Sequence, residues 1–469
     1  MAESLSLMEP TSSSLRTFLV TNRWLLLVGI VLALSLRCLF FFKFRLLSND
    51  SYLYGDLAKN WLQHGILGQT TSSGPEPTYI RLPGYPLFLL LVWAITGVEH
   101  YSAVLLVQIV VDVLTCFVIT DLARRTVGDR AAKVAFLLAG LCPFFANYAS
   151  VALTETWAIF LAALAMDFAV AGFDVPGDTR LWIGCGVALA GGILLRPDGG
   201  MLLAIFGAYG LYTAFRRRSR QLMIAVLIAG LVALAPLVPW TIRNWRTFHT
   251  FQPLAPFSAT MPWEFVPHGF QRWVRTWSAD YSSVEDVWFK ADGEDLGVRD
   301  LPPRAYDSPG DLERTQQLFE AYADNGDAMS PEIDRAFDQL ARDRIRARPL
   351  RYYLVLPFLR AADLWLRPRT EMLPIDPHWW RLSDDDPRQF RWAVLLGAVN
   401  LSYVFAGIFA LVRRRIDYVC FFLAFFLFRT VFLAWLPNPE PRYMLECYPA
   451  LLVIASAAFT KSLRIESMP

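Results

Sequence analysis

The sequence predicts an all-α polytopic membrane protein. It has about ten transmembrane helices, outer interfacial helices and a small soluble element on the non-cytoplasmic side. Three observations predict this. Of 469 residues, 55% are hydrophobic and only 18% charged, below the quarter or so typical of soluble domains. Apolar runs near twenty residues long recur along the chain. The basic residues between those runs gather in short clusters, as topology determinants do.

Taken in order, the spans are expected at 22–44, 101–123, 131–149, 155–173, 180–195, 199–215, 221–241, 392–412, 417–436 and 443–460. Arg16 and Arg23 precede the first. Arg124, Arg125, Arg130 and Lys133 separate the second from the third, and Arg216, Arg217, Arg218 and Arg220 follow the sixth. Arg413, Arg414 and Arg415 follow the eighth, and Lys461 and Arg464 close the chain. An even number of spans puts all these clusters, and both termini, in the cytoplasm. The first apolar run lacks a small-residue cleavage site and is expected to be retained.

Two shorter apolar segments, Pro83 to Gly97 and Tyr352 to Leu366, read as helices in the outer interface. The chain therefore divides into a cytoplasmic N-terminus (1–21), a transmembrane catalytic part (22–243) that includes a first outer loop at 45–100, an outer soluble and interfacial element (244–391), and C-terminal transmembrane helices (392–469). Nine of the 16 Trp residues fall between Trp245 and Trp392. They read either as an interfacial belt or as substrate-facing side chains. The six Cys show no metal-binding spacing and read as packing residues. A net charge of +2, set by clusters between spans, gives no reason to expect a nucleic-acid partner.

On this topology the polar and charged residues divide unevenly. The outer edge collects Asp50, Asp56, Arg81, Glu155, Arg196, Asp198, Arg243, Asn244, Glu440 and Arg442. Charge at membrane depth is costly, which makes a functional site the default reading. Asp50 follows the first span, and Asn49 or Asp50 could simply cap the next helix. Glu155 starts the fourth span, where Thr154 could cap and the helix dipole alone would favour a carboxylate. Arg81, Arg196, Arg243 and Arg442 run against the positive-inside trend. Together they suggest an anion, since guanidinium matches phosphate with paired donors. A lipid-linked phosphate sugar fits, with its tail in the bilayer, its phosphate on Arg and its sugar beside an acid. Its phosphate leaving group needs no general acid, whereas the acceptor hydroxyl needs one base.

The ordered motifs are "ND" at 49–50 with Tyr54, "YIRLPGYPLF" at 79–88, "ALTE" at 152–155, "LRPDG" at 195–199, "PWTIRN" at 239–244 and "EPRY" at 440–443. This series resembles the C-type integral-membrane glycosyltransferases, in particular the branch related to lipid A aminoarabinose transferase and protein O-mannosyltransferases. The resemblance covers roughly 20–250 and 390–460. It implies a polyprenyl-phosphate sugar donor and an inverting single displacement onto an acceptor glycan, lipid or protein. It further implies that Asp50 is the base, that Glu155 is a second acid orienting acceptor or base, and that Arg81 holds the donor phosphate. Tyr54, Asp56, Arg196, Asp198, Arg243, Asn244, Arg442 and Tyr443 join the expected binding residues, with Asp56 a rival to Asp50. Relatives often carry Asp-Glu where this chain has Asp50-Ser51, so a required divalent metal is not favoured and no cofactor is expected. The expected location is a bacterial inner membrane, with the site facing outward.

Two other readings compete. A transporter of lipid-linked or small solutes would need a polar pathway to the inner side, for which Asp112, Asp121 and Asp167 are the candidates. A scaffold subunit would carry the same residues without using them.

Overall fold

A computed structural model describes residues 14–291 and 294–460. Residues 1–13, Lys461 and Arg464 of the topology argument lie outside the described residues. Helices dominate: α1 (Leu15–Thr21), α2 (Arg23–Lys43), α3 (Asn49–His64), α4 (Gly84–Thr96), α5 (Tyr101–Thr126), α6 (Asp129–Gly140), α7 (Pro143–Ala149), α8 (Glu155–Asp174), α9 (Thr179–Leu195), α10 (Gly200–Arg216), α11 (Arg220–Leu234) and α12 (Leu237–Phe248). They continue as α13 (His268–Arg275), α14 (Tyr281–Ser283), α15 (Pro309–Asp324), α16 (Pro331–Ala347), α17 (Leu356–Leu366), α18 (Pro387–Arg413), α19 (Val419–Trp435) and α20 (Tyr448–Ala457). Among the described residues there is one antiparallel hairpin, β1 (Gly68–Thr71) with β2 (Gly74–Pro77), in the loop after α3.

Among the described residues, five helical segments are long and apolar enough to cross a membrane: α2, α5, α8, the run Arg220–Phe248 and α18. The α6–α7 pair makes a sixth if counted as one span, although it bends by 49°. Length and composition therefore do not by themselves reach ten. Helices α4, α9 and α19 are apolar but shorter.

The bend has an identifiable cause. Pro143 opens α7 and cannot continue the ladder of α6. Carbonyls at the end of α6 are left without helical partners. Arg37, fully buried in α2, supplies donors to the carbonyls of Ala139, at 3.2 Å, and Gly140. Its charge is matched by Asp112 of α5 at 2.7 Å. A charge inside an apolar run is tolerated because it is paired and hydrogen-bonded.

Two compact units are present. Of the described residues, the first comprises 14–259, 402–426 and 445–460, the second the rest, within 260–401 and 427–444. The core of the second unit is aromatic: Phe270, Trp273, Trp277, Phe319, Tyr322 and Phe337 are all buried. Trp273 and Trp277 are fully buried, so these two are packing residues, neither belt nor substrate-facing. Trp263 and Trp380 remain exposed.

Candidate active site

The site begins where α2 hands over to α3. Leu46 pairs with Val151 as an isolated parallel bridge, its N–H 3.4 Å from the Ser150 carbonyl. The chain before Asp50 is thus fixed beside the chain before Glu155. Ser48 caps α3: its hydroxyl accepts from Ser51 N–H, while Ser51 Oγ accepts from Ser48 N–H, a reciprocal capping box. The cap is therefore Ser48, not Asn49 or Asp50, because a serine three residues ahead closes the box. Thr154 likewise makes no side-chain cap bond for α8.

Relieved of capping, Asp50 faces Arg81, with Nη2 to Oδ1 at 3.2 Å. The pair is partly exposed, at 33% and 23% for the two side chains. The Arg81 guanidinium also stands 5.9 Å from the Tyr54 ring centre. Glu155 forms the second pair. It meets Arg196 Nη1 at 3.1 Å, and Arg196 Nε meets Asp198 at 3.0 Å. Glu155 is buried, at 5% side-chain exposure.

Tyr54, beside Arg81, shares a buried cluster with Ala158 of α8 and Leu195, the residue before Arg196. Burial raises the pKa of its phenol, and the charges that act on it further are those of Arg81, Asp50, Arg196 and Glu155. Tyr54 packs edge-on against Tyr85, with ring centres 5.1 Å apart. The Tyr85 hydroxyl donates to Gln108 at 2.7 Å, and Gln108 donates on to the Val151 carbonyl at 2.8 Å. This buried relay supports the strand that leads to Glu155. Sequence reasoning missed Gln108 and the role of Tyr85. A glutamine inside the apolar run of α5 was the available signal. Arg37 in α2 was missed in the same way.

The remaining expected residues divide. Asp56 accepts from Thr70 N–H at 2.7 Å, Thr70 Oγ1 at 2.6 Å and Asn60 at 3.3 Å, so it anchors the hairpin. Arg243 donates to the carbonyls of Leu67 and Thr78 and to Asn244, between the rings of Trp240 and Phe248. Asn244 donates to the Gln252 carbonyl at 2.7 Å. In the second unit, Arg442 and Tyr443 bind a common partner: Glu440 takes Arg442 Nε at 2.6 Å and the Tyr443 hydroxyl at 2.6 Å. Glu285, absent from the expected set, accepts from Tyr281 nearby, and burial raises its pKa. Among the described residues no three His, Cys, Asp or Glu side chains gather as a metal site.

Residues 76–242, just over a third of the chain, match the sequence model of the dolichyl-phosphate-mannose-protein mannosyltransferase family. That stretch carries Arg81, Tyr85, Gln108, Glu155, Arg196 and Asp198, and leaves Asp50 outside. The structure is similar to the archaeal oligosaccharyltransferase AglB from Archaeoglobus fulgidus, solved with an inhibitory peptide and a dolichol-phosphate. Identity is 14%, the TM-score is 0.51, and the match covers 95% of this chain and 50% of that one. The chain thus spans about half the length of that structure. ArnT from Cupriavidus metallidurans, solved with undecaprenyl phosphate, matches with 15% identity and a TM-score of 0.43, covering 93% of this chain and 78% of its own. Among curated proteins, none matches the sequence. The chain has the fold of the C-type integral-membrane glycosyltransferases and resembles their branch that includes protein mannosyltransferases.

Proposed function

We propose that the protein transfers one sugar from a polyprenyl-phosphate donor to an acceptor hydroxyl on the non-cytoplasmic face of the membrane, in an inverting single displacement. The carrying observation is geometric: Asp50 pairs with Arg81 beside the Tyr54 ring, and Tyr54 shares one buried cluster with Ala158 and Leu195, which flank the Glu155–Arg196 pair in sequence. Guanidinium groups able to hold a phosphate thus stand with a carboxylate able to act as base. The acceptor oxygen attacks the anomeric carbon and the bond from that carbon to the phosphate oxygen breaks. Polyprenyl phosphate leaves with the electron pair, and the acceptor proton passes to Asp50.

The Asp50–Arg81 contact suits this order of events. A partly exposed ion pair is worth about 0–1 kcal/mol, so an arriving phosphate can take Arg81 and release Asp50. A carboxylate freed from guanidinium is a stronger base. The base is then unmasked when donor is bound, which limits unproductive proton transfer. Glu155, held by Arg196, orients the acceptor. No divalent metal is required on this reading. The dolichol-phosphate on AglB, which shares this fold, supports a lipid-phosphate donor.

The same reading takes α9, α10, α19 and the segment around α20 as further spans and keeps α4 in the outer interface, giving about ten with both ends in the cytoplasm. It places residues 244–391 outside the membrane and the protein in a bacterial inner membrane. The transporter alternative is disfavoured by its own candidates. Asp112 is bound to Arg37, and Asp121 and Asp167 share Arg125, so these acids tie helices together. The test is a transfer assay in which membranes containing the protein receive labelled polyprenyl-phosphate sugar with and without chelator. Labelled acceptor and free polyprenyl phosphate are expected in both. Donor crossing liposomes with no transfer would overturn the reading.

A further inference from the structure

The second unit contains a cavity of about 340 Å³, at the small end of ligand pockets. Its wall carries Asp280, Asp286 and Asp300 on one side of the charge balance and Lys290, Arg299, Arg304 and Arg381 on the other. Several of these groups are already held in place. Arg304 reaches Asp280 and Ser283 Oγ, both at 2.6 Å, and His378 Nε2 reaches Asp286 at 3.1 Å. Trp380 also lines the cavity, 45% exposed, with its ring 5.8 Å from the Arg367 guanidinium and 5.2 Å from the His378 ring.

The lining selects among ligand classes. A bare anion meets three carboxylates, and a bare cation meets four basic side chains. A ligand that both donates and accepts along every edge meets no repulsion. Hydroxyl groups do this, each with one donor and two acceptor sites, and neighbouring hydroxyls match a carboxylate or a guanidinium fork. A pyranose also has an apolar face, for which an exposed indole is the counterpart. We propose that this cavity is a saccharide-binding site, with Trp380 as the stacking platform and Asp286 and Asp280 as acceptors of sugar hydroxyls. That the sugar belongs to the acceptor rests on the transfer reading above; that the cavity binds a saccharide does not.

The test uses the full chain in nanodiscs and hydrogen exchange read by mass spectrometry. The probes are neutral disaccharides, N-acetylhexosamine and uronate disaccharides, inorganic phosphate and a zwitterionic dipeptide. At least one saccharide is expected to slow exchange in peptides covering 278–304 and 376–383. Trp380→Ala and Asp286→Asn should each weaken that protection about tenfold or more, while Trp380→Phe retains it. Unchanged exchange in α16, whose inner face packs Ile333, Phe337 and Leu340 into the aromatic core, shows that the variants are folded. Asp50→Asn should leave the protection intact; protection in a parental chain that transfers no sugar would sink the transferase reading and spare this one. Protection by phosphate or dipeptide but by no saccharide would overturn the assignment, as would saccharide protection that survives Trp380→Ala and Asp286→Asn, or no protection by any probe.

Discussion

Arg243 donates to the carbonyl oxygen of Thr78 at 2.7 Å and, with its other nitrogen, to that of Leu67 at 2.8 Å. Those two carbonyls flank the β1–β2 hairpin, so the guanidinium clamps the base of the loop that carries Arg81. Hydrogen bonds from a charged donor are worth about 1.5–3 kcal/mol each. Arg243→Ala is therefore expected to cost about 3 kcal/mol of local stability and to open the loop. Limited proteolysis between residues 65 and 80 should accelerate even with no lipid present. Cleavage that stays at the parental rate while donor binding falls would instead make Arg243 a direct phosphate ligand.

The exchange at Asp50 separates binding from chemistry. Removing a general base lowers turnover by about 10²–10⁴-fold. Asp50→Asn should do so while donor affinity holds or improves, since Arg81 is freed. Arg81→Ala should do the reverse, raising the donor KM most strongly. Turnover and KM measured over a donor titration check both. Equal loss of donor affinity in the two variants would mean that Asp50 acts on binding alone.

Much of this was legible before any coordinates. Ten spans are expected from the apolar runs; each run overlaps helical structure, yet among the described residues only five to six helical segments are long and apolar enough to cross a membrane. The acids and arginines of the first loop and of the 196–198 turn were marked by their depth in apolar surroundings. What the sequence could not show is how donors are shared. Arg81, Arg196 and Arg243 look alike in one dimension, yet two meet carboxylates and one meets carbonyls, because only the hairpin brings Leu67 and Thr78 together. Ser48 was passed over as a cap because Asn49 and Asp50 are equally good capping residues in isolation. The capping box needed Ser51 as partner. The second unit stayed opaque because its Trp residues serve different ends, some as core and one as a cavity wall.

The pairing of Arg37 with Asp112 predicts a strongly non-additive cycle. Either single truncation strands a buried charge, at a cost of about 3–5 kcal/mol. Arg37→Met with Asp112→Leu removes both charges, but the carbonyls of Ala139 and Gly140 still lose the guanidinium donors. The double variant should therefore recover part, not all, of the lost thermal stability. Full additivity of the two single costs would show that the residues do not act as a pair.

Gly84 tests the positioning of the two ion pairs. A Cβ there would stand 2.6 Å from the Leu194 carbonyl oxygen, a backbone atom that no rotamer change can move. The contact lies three residues after Arg81 and two before Arg196. Gly84→Ala should separate α4 from α9 and cost about 1–3 kcal/mol, with turnover falling further than donor affinity. Thermal shift and a donor titration check this. A variant with parental turnover would show that the pairs do not depend on that close approach.

Glu285 carries a prediction in pH. Burial is the largest cause of its raised pKa, and the Glu440 and Asp286 charges add to it against the Tyr281 hydrogen bond and Arg442. An acid whose folded pKa is raised keeps its proton in the folded state over a range where the unfolded chain has lost it. Its burden on stability is thus absent below the ordinary glutamate value of about 4.3 and grows as pH climbs through the raised value. Glu285→Gln keeps an acceptor for Tyr281 and removes the charge. The variant should match the parent's Tm in acid and exceed it increasingly toward neutral pH. Melting curves across that range, read by tryptophan fluorescence, would refute the assignment if the difference stayed flat or reversed.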